Sequence, residues 1–397
     1  MATKLYFSRD TKVIAHIPMA SAGSKNMYFD IPVLDGFSFS QATNTSEITL
    51  NEAQSTAGAS RRGRAMFNDS YAPVEWSFST YMMPYTSAGG VKGTSGKARG
   101  ISGGASQDGF HAEVTEALWA MFFGQTGTAG ITTDTTNLDI VQSGANKATV
   151  GVFDLFFIMG ASQASADYNY STGAATANQM IYKLADCSIA DVSFDFDLDG
   201  IATVNWSGNG KLITEEASLN LSSSTALITE GVSNTTGFIR NRISDLTITG
   251  DPSGGSVTYV TTLTGGNISM SNNLTYLTPE TLGVVNQPLG HVTGTKNVGG
   301  NFTCYLDNAG STSSAELYED LVEATSDIQN SFSLSFDIGG SGTPHCIITM
   351  PQAHLEVPSH SIDEVISLET NFHALPSDFD STDEISVFQF VGKDVNA

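Results

Sequence analysis

The chain has 397 residues, with 41 acidic against 17 basic side chains and a formal net charge of −24. Charged residues are only 15% of the chain and hydrophobic ones 40%, so a packed core is expected and charge-driven disorder is excluded. So anionic a chain is poorly suited to gripping nucleic acid, which rests on Lys and Arg neutralising phosphates. No apolar run approaches the roughly 18 residues of a membrane helix.

At about 150 residues per domain, two or three domains are expected. Met1–Ala20 carries Lys4, Arg9, Asp10 and Lys12 without an apolar stretch, so no signal peptide is expected. Three cysteines (Cys187, Cys304, Cys346) lack CxxC spacing and are expected as free thiols.

In chain order, Lys4–Phe7 and Lys12–Pro18 are predicted strands. Gly36–Ser40 (GFSFS) alternates with period two, and GFSFSQATNTSEITL continues to Leu50. A long connection holding Arg61, Arg62 and Arg64 leads to the strand Val74–Met83, which contains EWSFSTY. Ser87–Ser106 is Gly-rich with Lys92, Lys97 and Arg99, and is expected to be a cationic loop. Gln125–Thr136 and Gln163–Asn178 are further Gly/Ser/Thr/Asn loops. From His111 to Phe123, Val114, Ala117, Leu118, Met121 and Phe122 fall on one helical face, with Gly124 as a stop. The strand Phe153–Met159 follows, then YKLADCSIADVSFDFDLDG (Tyr182–Gly200).

The same order of elements then recurs. Phe238–Thr249 and Val257–Thr264 lead to GNISMSNNLTYL (Gly266–Leu277), the strand Asn301–Leu306 and a helix over Ser314–Thr325. In this helix Leu317, Leu321 and Val322 form the stripe, and Ser313 with Glu316 forms a capping pair. Phe332–Ile338 and Met350–Thr370 close the series. Ser188–Val192 is matched to Ser361–Val365, and Asp195 to Glu369. This predicts a duplication, 1–235 with long loop insertions and 236–397 shorter and more acidic. After Arg242 only Lys296 and Lys393 are basic, against 19 acids. The expected fold is mainly β: two tandem sandwich-like or half-barrel domains, each with one flanking helix. Trp76, Trp119 and Trp206 lie within apolar patterns and are expected in the core.

No chemistry stands out. His345, His354, His360 and His373 share a window but no metal-ligand spacing. Asp195-Phe-Asp197-Leu-Asp199-Gly200 resembles the start of a calcium loop, but Trp206 occupies the position of its bidentate Glu. A nucleophile elbow, a Walker loop and a dinucleotide fingerprint are all lacking. The expectation is a non-enzyme without cofactor or metal. Arg61, Arg62 and Arg64 form the sharpest cationic cluster. Contact with a neighbouring copy's carboxylates and plain solvation are equally open there.

GFSFSQATNTSEITLNEA with SRRGRAMFNDSYAPVEWSFSTYM resembles the opening of a tail tube (major tail) protein of long-tailed bacteriophages. ISMSNNLTYLTPETLGVVNQPLGHVTGTKNVGGNFTCYL and AHLEVPSHSIDEVISLETNFHALPSD are similar to the same family. The resemblance implies β-sandwich domains whose sheets join around a ring, and rings stacked into a tube that carries DNA. A duplicated form implies a homotrimeric, pseudo-hexameric ring. It also implies a virion location, a cytoplasmic origin in the host, and partners among the tape measure, terminator, baseplate and sheath. DNA would pass through without specific binding. Asp195, Asp197 and Glu369 are the expected lumen-lining residues, and Arg61, Arg62 and Arg64 the expected inter-ring or intersubunit contacts. The competing readings are another virion ring component (a tail terminator, a baseplate ring or a capsid decoration) or a β-sandwich carbohydrate-binding or adhesin module.

Overall fold

The structure, a computed structural model, describes residues 5–18, 26–49, 53–54, 60–61, 64–82, 85–86, 116–124, 131–133, 137–140, 150–161, 179–217, 219, 226–229, 238–250, 256–282, 285–323, 332–340, 344–362, 364–379, 381, 383–391 and 393–394. The expected loops Ser87–Ser106 and Gln163–Asn178, most of Gln125–Thr136, and Arg62 lie outside the described residues. Of Arg61 only the backbone is described.

The fold is mainly β. Its first half contains β1 (Tyr6–Pro18), β2 (Asn26–Ile31), β3 (Ser38–Thr49), β4 (Arg64–Tyr81), helix α1 (Glu116–Phe122), β5 (Phe153–Ala161), β6 (Gln179–Asp197), β7 (Thr203–Gly210) and β8 (Leu212–Glu216). The second half contains β9 (Asp245–Gly250), β10 (Val257–Val260), β11 (Leu263–Ser271), β12 (Leu274–Leu277), β13 (Gly290–Thr293), β14 (Asn297–Tyr305), helix α2 (Ser314–Glu323), β15 (Phe332–Ile338), β16 (His345–Leu355), β17 (Ser359–Ile362), β18 (Ile366–Ala374) and β19 (Val387–Val391).

One long antiparallel sheet runs through both halves in the order β3-β4-β7-β6-β11-β14-β18-β17. Its inner side carries the alternate large residues of each strand. Trp76 and Phe78 come from β4, Trp206 from β7, and Phe194 and Phe196 from β6. Ile268 and Met270 come from β11, Phe302 from β14 and Phe372 from β18; all are at most 3% exposed. Each such side chain contributes roughly 1.5–3 kcal/mol on burial. Trp76, Trp119 and Trp206 are in the core, as their patterns require.

A second layer covers this side. In the first half, β2-β1-β5-β6-β8 form it. In the second half, β10-β9-β15-β16-β19 do. The strands β6 and β16 each serve both layers. β6 leaves the outer layer at Asp186, whose φ is +50, and enters the long sheet from Ser188. A non-glycine residue at positive φ carries local strain, and here it marks the bend that redirects the strand.

The helices fill the space beside the layers. Trp119 on α1 packs edge-on against Trp206 (4.7 Å between ring centres) and against Phe388 of β19 (4.5 Å). The buried Asn272 side chain donates to the carbonyls of Phe122 (3.1 Å) and Ile189 (3.2 Å). It thereby satisfies one of the orphan carbonyls at the end of α1. α2 is capped by Ser313, whose hydroxyl accepts the Glu316 N–H at 3.4 Å. Its Asp320 accepts the Tyr259 hydroxyl of β10 at 2.5 Å. One continuous hydrophobic cluster spans both halves.

Several boundaries differ from the sequence pattern. The two opening strands are one strand with an irregularity between Tyr6 and Thr11. β14 begins at Asn297 and passes through Gly299 and Gly300, which read as a loop. A Cβ on Gly300 would lie 1.9 Å from the Asn267 carbonyl oxygen, so the glycine permits close approach of β11 and β14. Met350–Thr370 is a hairpin (β16 and β17 folding back as β18). The matched pieces Ser188–Val192 and Ser361–Val365 occupy different places. The first lies mid-strand opposite β7, and the second ends β17 and enters the turn to β18.

Candidate functional site: the open face of the long sheet

Period-two alternation places every second residue of the long sheet away from the core. In β3 and β4 these are Ser38, Ser40, Glu75, Ser77 and Ser79. In β7 and β6 they are Asn205, Ser207, Asp191, Ser193, Asp195 and Asp197. β11, β14 and β18 give Asn267, Ser269, Asn301, Thr303, Glu369, Asn371 and His373. These positions are polar throughout, and neither Lys nor Arg occurs among them. Only Tyr81 and Tyr305, at the ends of β4 and β14, are large. A groove of about 1140 Å³ borders the face where Asp191, Ser193, Ser269 and His373 meet Phe379.

Cross-strand hydrogen bonds order the face. Ser38 Oγ and Ser77 Oγ are 2.8 Å apart, and Ser79 Oγ donates to Asn205 Oδ1 at 2.7 Å. Asn267, Asn301 and Asn371 sit in one transverse row across three strands. Each amide donates to a neighbouring carboxylate. Asn267 bonds Asp195 at 2.5 Å, Asn301 bonds Glu369 at 3.1 Å and Asn371 bonds Glu356 at 2.8 Å. Charge-assisted bonds of this kind are stronger than neutral ones and hold the carboxylates in place. The Asn371 bond and the His373 ring (3.5 Å) hold the Glu356 carboxyl below the usual carboxylate range. An open groove of about 310 Å³ is lined by Asn267, Gly300, Asn301, Glu356, Asn371 and His373.

The structure places Asp195 and Asp197 on β6 and Glu369 on β18, all exposed and all on this one face. Asp195 pairs with Asn267 of β11 and Glu369 with Thr303 of β14 and Ser359 of β17, so their strands hold different places in the pairing scheme and the sequence match does not describe them. Asp191, Glu75 and Glu356 share the face and were missed. Asp191 and Glu75 were visible through phase, being two positions in step with Ser193 and Ser77. Glu356 lies in the irregular link between β16 and β17, where alternation gives no guide.

Lys296 lines the groove at the border of the face with Asp191, Ser193, Ser269 and His373; other described cations lie away from it. Lys12 pairs with Asp30 (3.6 Å), Lys183 with Asp154 (2.9 Å) and Lys211 with Asp186 (3.8 Å), around the outer layer of the first half. Arg64 pairs with Glu47 of the neighbouring strand through two bonds of 2.5 and 2.8 Å. This pair stands on the β3–β4 ribbon, where residues 42–48 and 64–69 are exposed. The ribbon also exposes Ile48, Met66 and Phe67. Among the described residues no helix is long and apolar enough to cross a membrane.

The arrangement is a broad, hydrogen-bonded, anionic wall. Comparison with known proteins gives the family. The family model described as phage tail tube protein matches residues 83–374. The chain is also 28% identical over 395 residues to the tail tube protein pb6 of Escherichia phage T5, covering 96% of this chain and 75% of that one. This chain belongs to the phage tail tube protein family and is a structural component of the virion tail.

Proposed function

We propose that the protein assembles as homotrimeric, pseudo-hexameric rings that stack into a tail tube, with the polar face of the long sheet lining the bore through which phage DNA is ejected. The observation that carries this reading is the wall itself: eight strands wide, acidic, and with neither Lys nor Arg at the outward positions named above. Lys or Arg there would bind phosphates and hold the duplex by counterion release, whereas carboxylates let it slide. Asp195, Asp197 and Glu369 are lining residues on this reading, joined by Asp191, Glu75 and Glu356.

The pairing pattern supports tandem units, 1–235 and 236–397. In the first, β1 pairs β2 and β5, β5 pairs β6, β6 pairs β8 and β7, β7 pairs β4, and β4 pairs β3. In the second, β9 pairs β10 and β15, β15 pairs β16, and β16 pairs β19 and, with β17, β18. β18 then pairs β14, and β14 pairs β11. Among the described residues each unit has one α-helix and gives four strands to the long sheet. Three chains supply about 24 strands, which at ~4.8 Å spacing with tilt gives a backbone diameter of roughly 40–50 Å. That bore admits a duplex after side chains are added.

The ring's first partner is itself. The tube's ends and outside meet other tail proteins, namely the tape measure, terminator and baseplate, and a sheath in a contractile tail. Negative-stain microscopy of the purified full chain tests the reading. Long hollow tubes are expected. Single rings would favour a terminator or baseplate role, and monomers at all concentrations would favour a binding module.

A further inference from the structure

We propose that β17 of one chain pairs antiparallel with β3 of the next copy, with Ser359 opposite Ser40 and Ser361 opposite Ser38. This rests on the ring reading and fixes the residues that close it.

The argument starts from the seam inside the chain. There β6 pairs with β11, Ser193 opposite Ser269 and Asp195 opposite Asn267. β6 is the last strand of the first four-strand set and β11 the first strand of the second. The two sets align through their buried positions. Val204, Trp206, Gly208 and Gly210 of β7 correspond to Leu368, Thr370, Phe372 and Ala374 of β18. Val74, Phe78 and Thr80 of β4 correspond to Val298, Phe302 and Cys304 of β14. The pairings then carry the match to the edges. Ser38 faces Ser77 as Asn267 faces Asn301. Ser193 faces Asn205 as Ser359 faces Glu369. Ser38 and Ser40 are therefore the counterparts of Asn267 and Ser269. Ser359 and Ser361 are the counterparts of Ser193 and Asp195. Repeating the internal seam between chains gives the stated register.

The edges themselves agree. Among the described residues β3 pairs only with β4, and β17 only with β18. They lie at opposite ends of the long sheet. An open strand edge is a template for pairing and is rarely left bare. The β17 edge exposes Val357 (58%), Ile362 (78%) and Val365 (57%). The β3 edge presents Phe37 and Phe39, only partly buried against the core. In the proposed register Ile362 meets Phe37 and His360 meets Phe39 on the core side. The most exposed of these apolar residues, Ile362, thus faces an aromatic on the other edge. A slip of one residue would turn each of them to the wrong face.

The test is cysteine cross-linking in the full chain. The native cysteines Cys187, Cys304 and Cys346 are buried and free, which keeps the background low. Ser38→Cys with Ser361→Cys, oxidised by copper–phenanthroline, is expected to give disulfide-linked species up to three chains and none larger. Ser40→Cys with Ser359→Cys should do the same. Ser38→Cys with His360→Cys should remain uncross-linked, because the two side chains point to opposite faces. As a second measurement, Ile362→Asp should leave the monomer's circular dichroism unchanged and lower the yield of rings at least tenfold. Rings or tubes that form without the first two cross-links, or with the third, overturn the register and leave the ring reading standing. Unimpaired assembly of Ile362→Asp overturns it too. If the unsubstituted chain forms no rings, the ring reading falls and the register falls with it.

Discussion

The Tyr259 hydroxyl donates to Asp320 Oδ2 at 2.5 Å and ties helix α2 to strand β10. The ring of Tyr259 is 1% exposed, so its aromatic body belongs to the core while its polar tip reaches the helix. Burial, and then the Asp320 bond, hold this phenol protonated well above its ordinary range. Tyr259→Phe keeps the packing and removes the bond. We expect a loss of about 1–2 kcal/mol, read as a lower urea midpoint with unchanged slope. An unchanged midpoint would show that the bond adds nothing.

Gly300 makes a sharper prediction. Its missing Cβ leaves room for the Asn267 carbonyl, 1.9 Å from where that atom would stand. Gly300→Ala forces β11 and β14 apart and should cost about 3 kcal/mol. Gly290, with nothing within 4 Å of a built Cβ, is the control. Gly290→Ala should express and melt as the parent does, whereas Gly300→Ala should lose soluble yield.

Asp154 controls acid stability in the outer layer. Burial pushes its carboxyl up, but bonds from His16 (3.4 Å), Lys183 (2.9 Å) and the Asp186 N–H (3.1 Å) outweigh it, and the group is held below the usual carboxylate range. A depressed carboxyl contributes stability above its unfolded value, near 3.9, and loses it as pH falls through the folded value. Asp154→Asn should therefore be less stable than the parent at pH 7. The gap should close below about pH 4. Denaturation midpoints at pH 7 and near pH 3 measure it, and a gap independent of pH would contradict the assignment.

The anionic wall can be inverted. Asp195→Lys, Asp197→Lys and Glu369→Lys together replace three exposed carboxylates by cations on one face. Assemblies of this variant should retain duplex DNA at 50 mM salt and release it as salt rises, while parent assemblies retain none. Equal DNA retention by both would remove these residues from the lining.

Arg61→Ala, Arg62→Ala and Arg64→Ala address the ribbon. Arg64 is engaged by Glu47 of its own chain, and exposed pairs contribute at most about 1 kcal/mol to folding. The triple variant should fold normally. Tubes should form more slowly and dissolve at lower salt, scored by light scattering and microscopy. Assembly indistinguishable from the parent would leave the cluster a solvated loop.

Much of this architecture was legible because alternation is a physical necessity of a sheet with one dry side. EWSFSTY, DVSFDFDL and NSFSLSFDI mark strands whose phase also tells which residues face outward. That phase put Asp195 and Asp197 on an exposed face before any coordinates. Where backbones meet at closest range, the signal inverts. Gly299 and Gly300 look like a loop and are the middle of a sheet, because only a missing side chain lets the neighbouring strand in. The turn between β17 and β18 contains neither Gly nor Pro, so that hairpin resembled one strand. The proposed pairing of halves rests on element order, whereas the local likeness of Ser188–Val192 to Ser361–Val365 joins segments that pair differently. Five residues of similar type recur easily in a chain rich in Ser and Asp, whereas a hydrogen-bonding scheme does not.

The bend of β6 at Asp186 has a mechanical outcome. A single polypeptide segment is woven first into the shell and then into the wall, and β16 does the same in the other half. Widening the wall would pull both segments sideways out of the shell and break backbone ladders in two planes at once. On the ring reading, covalent continuity braces the wall against radial strain, so the calibre fixed by strand number and tilt is held by the shell around it.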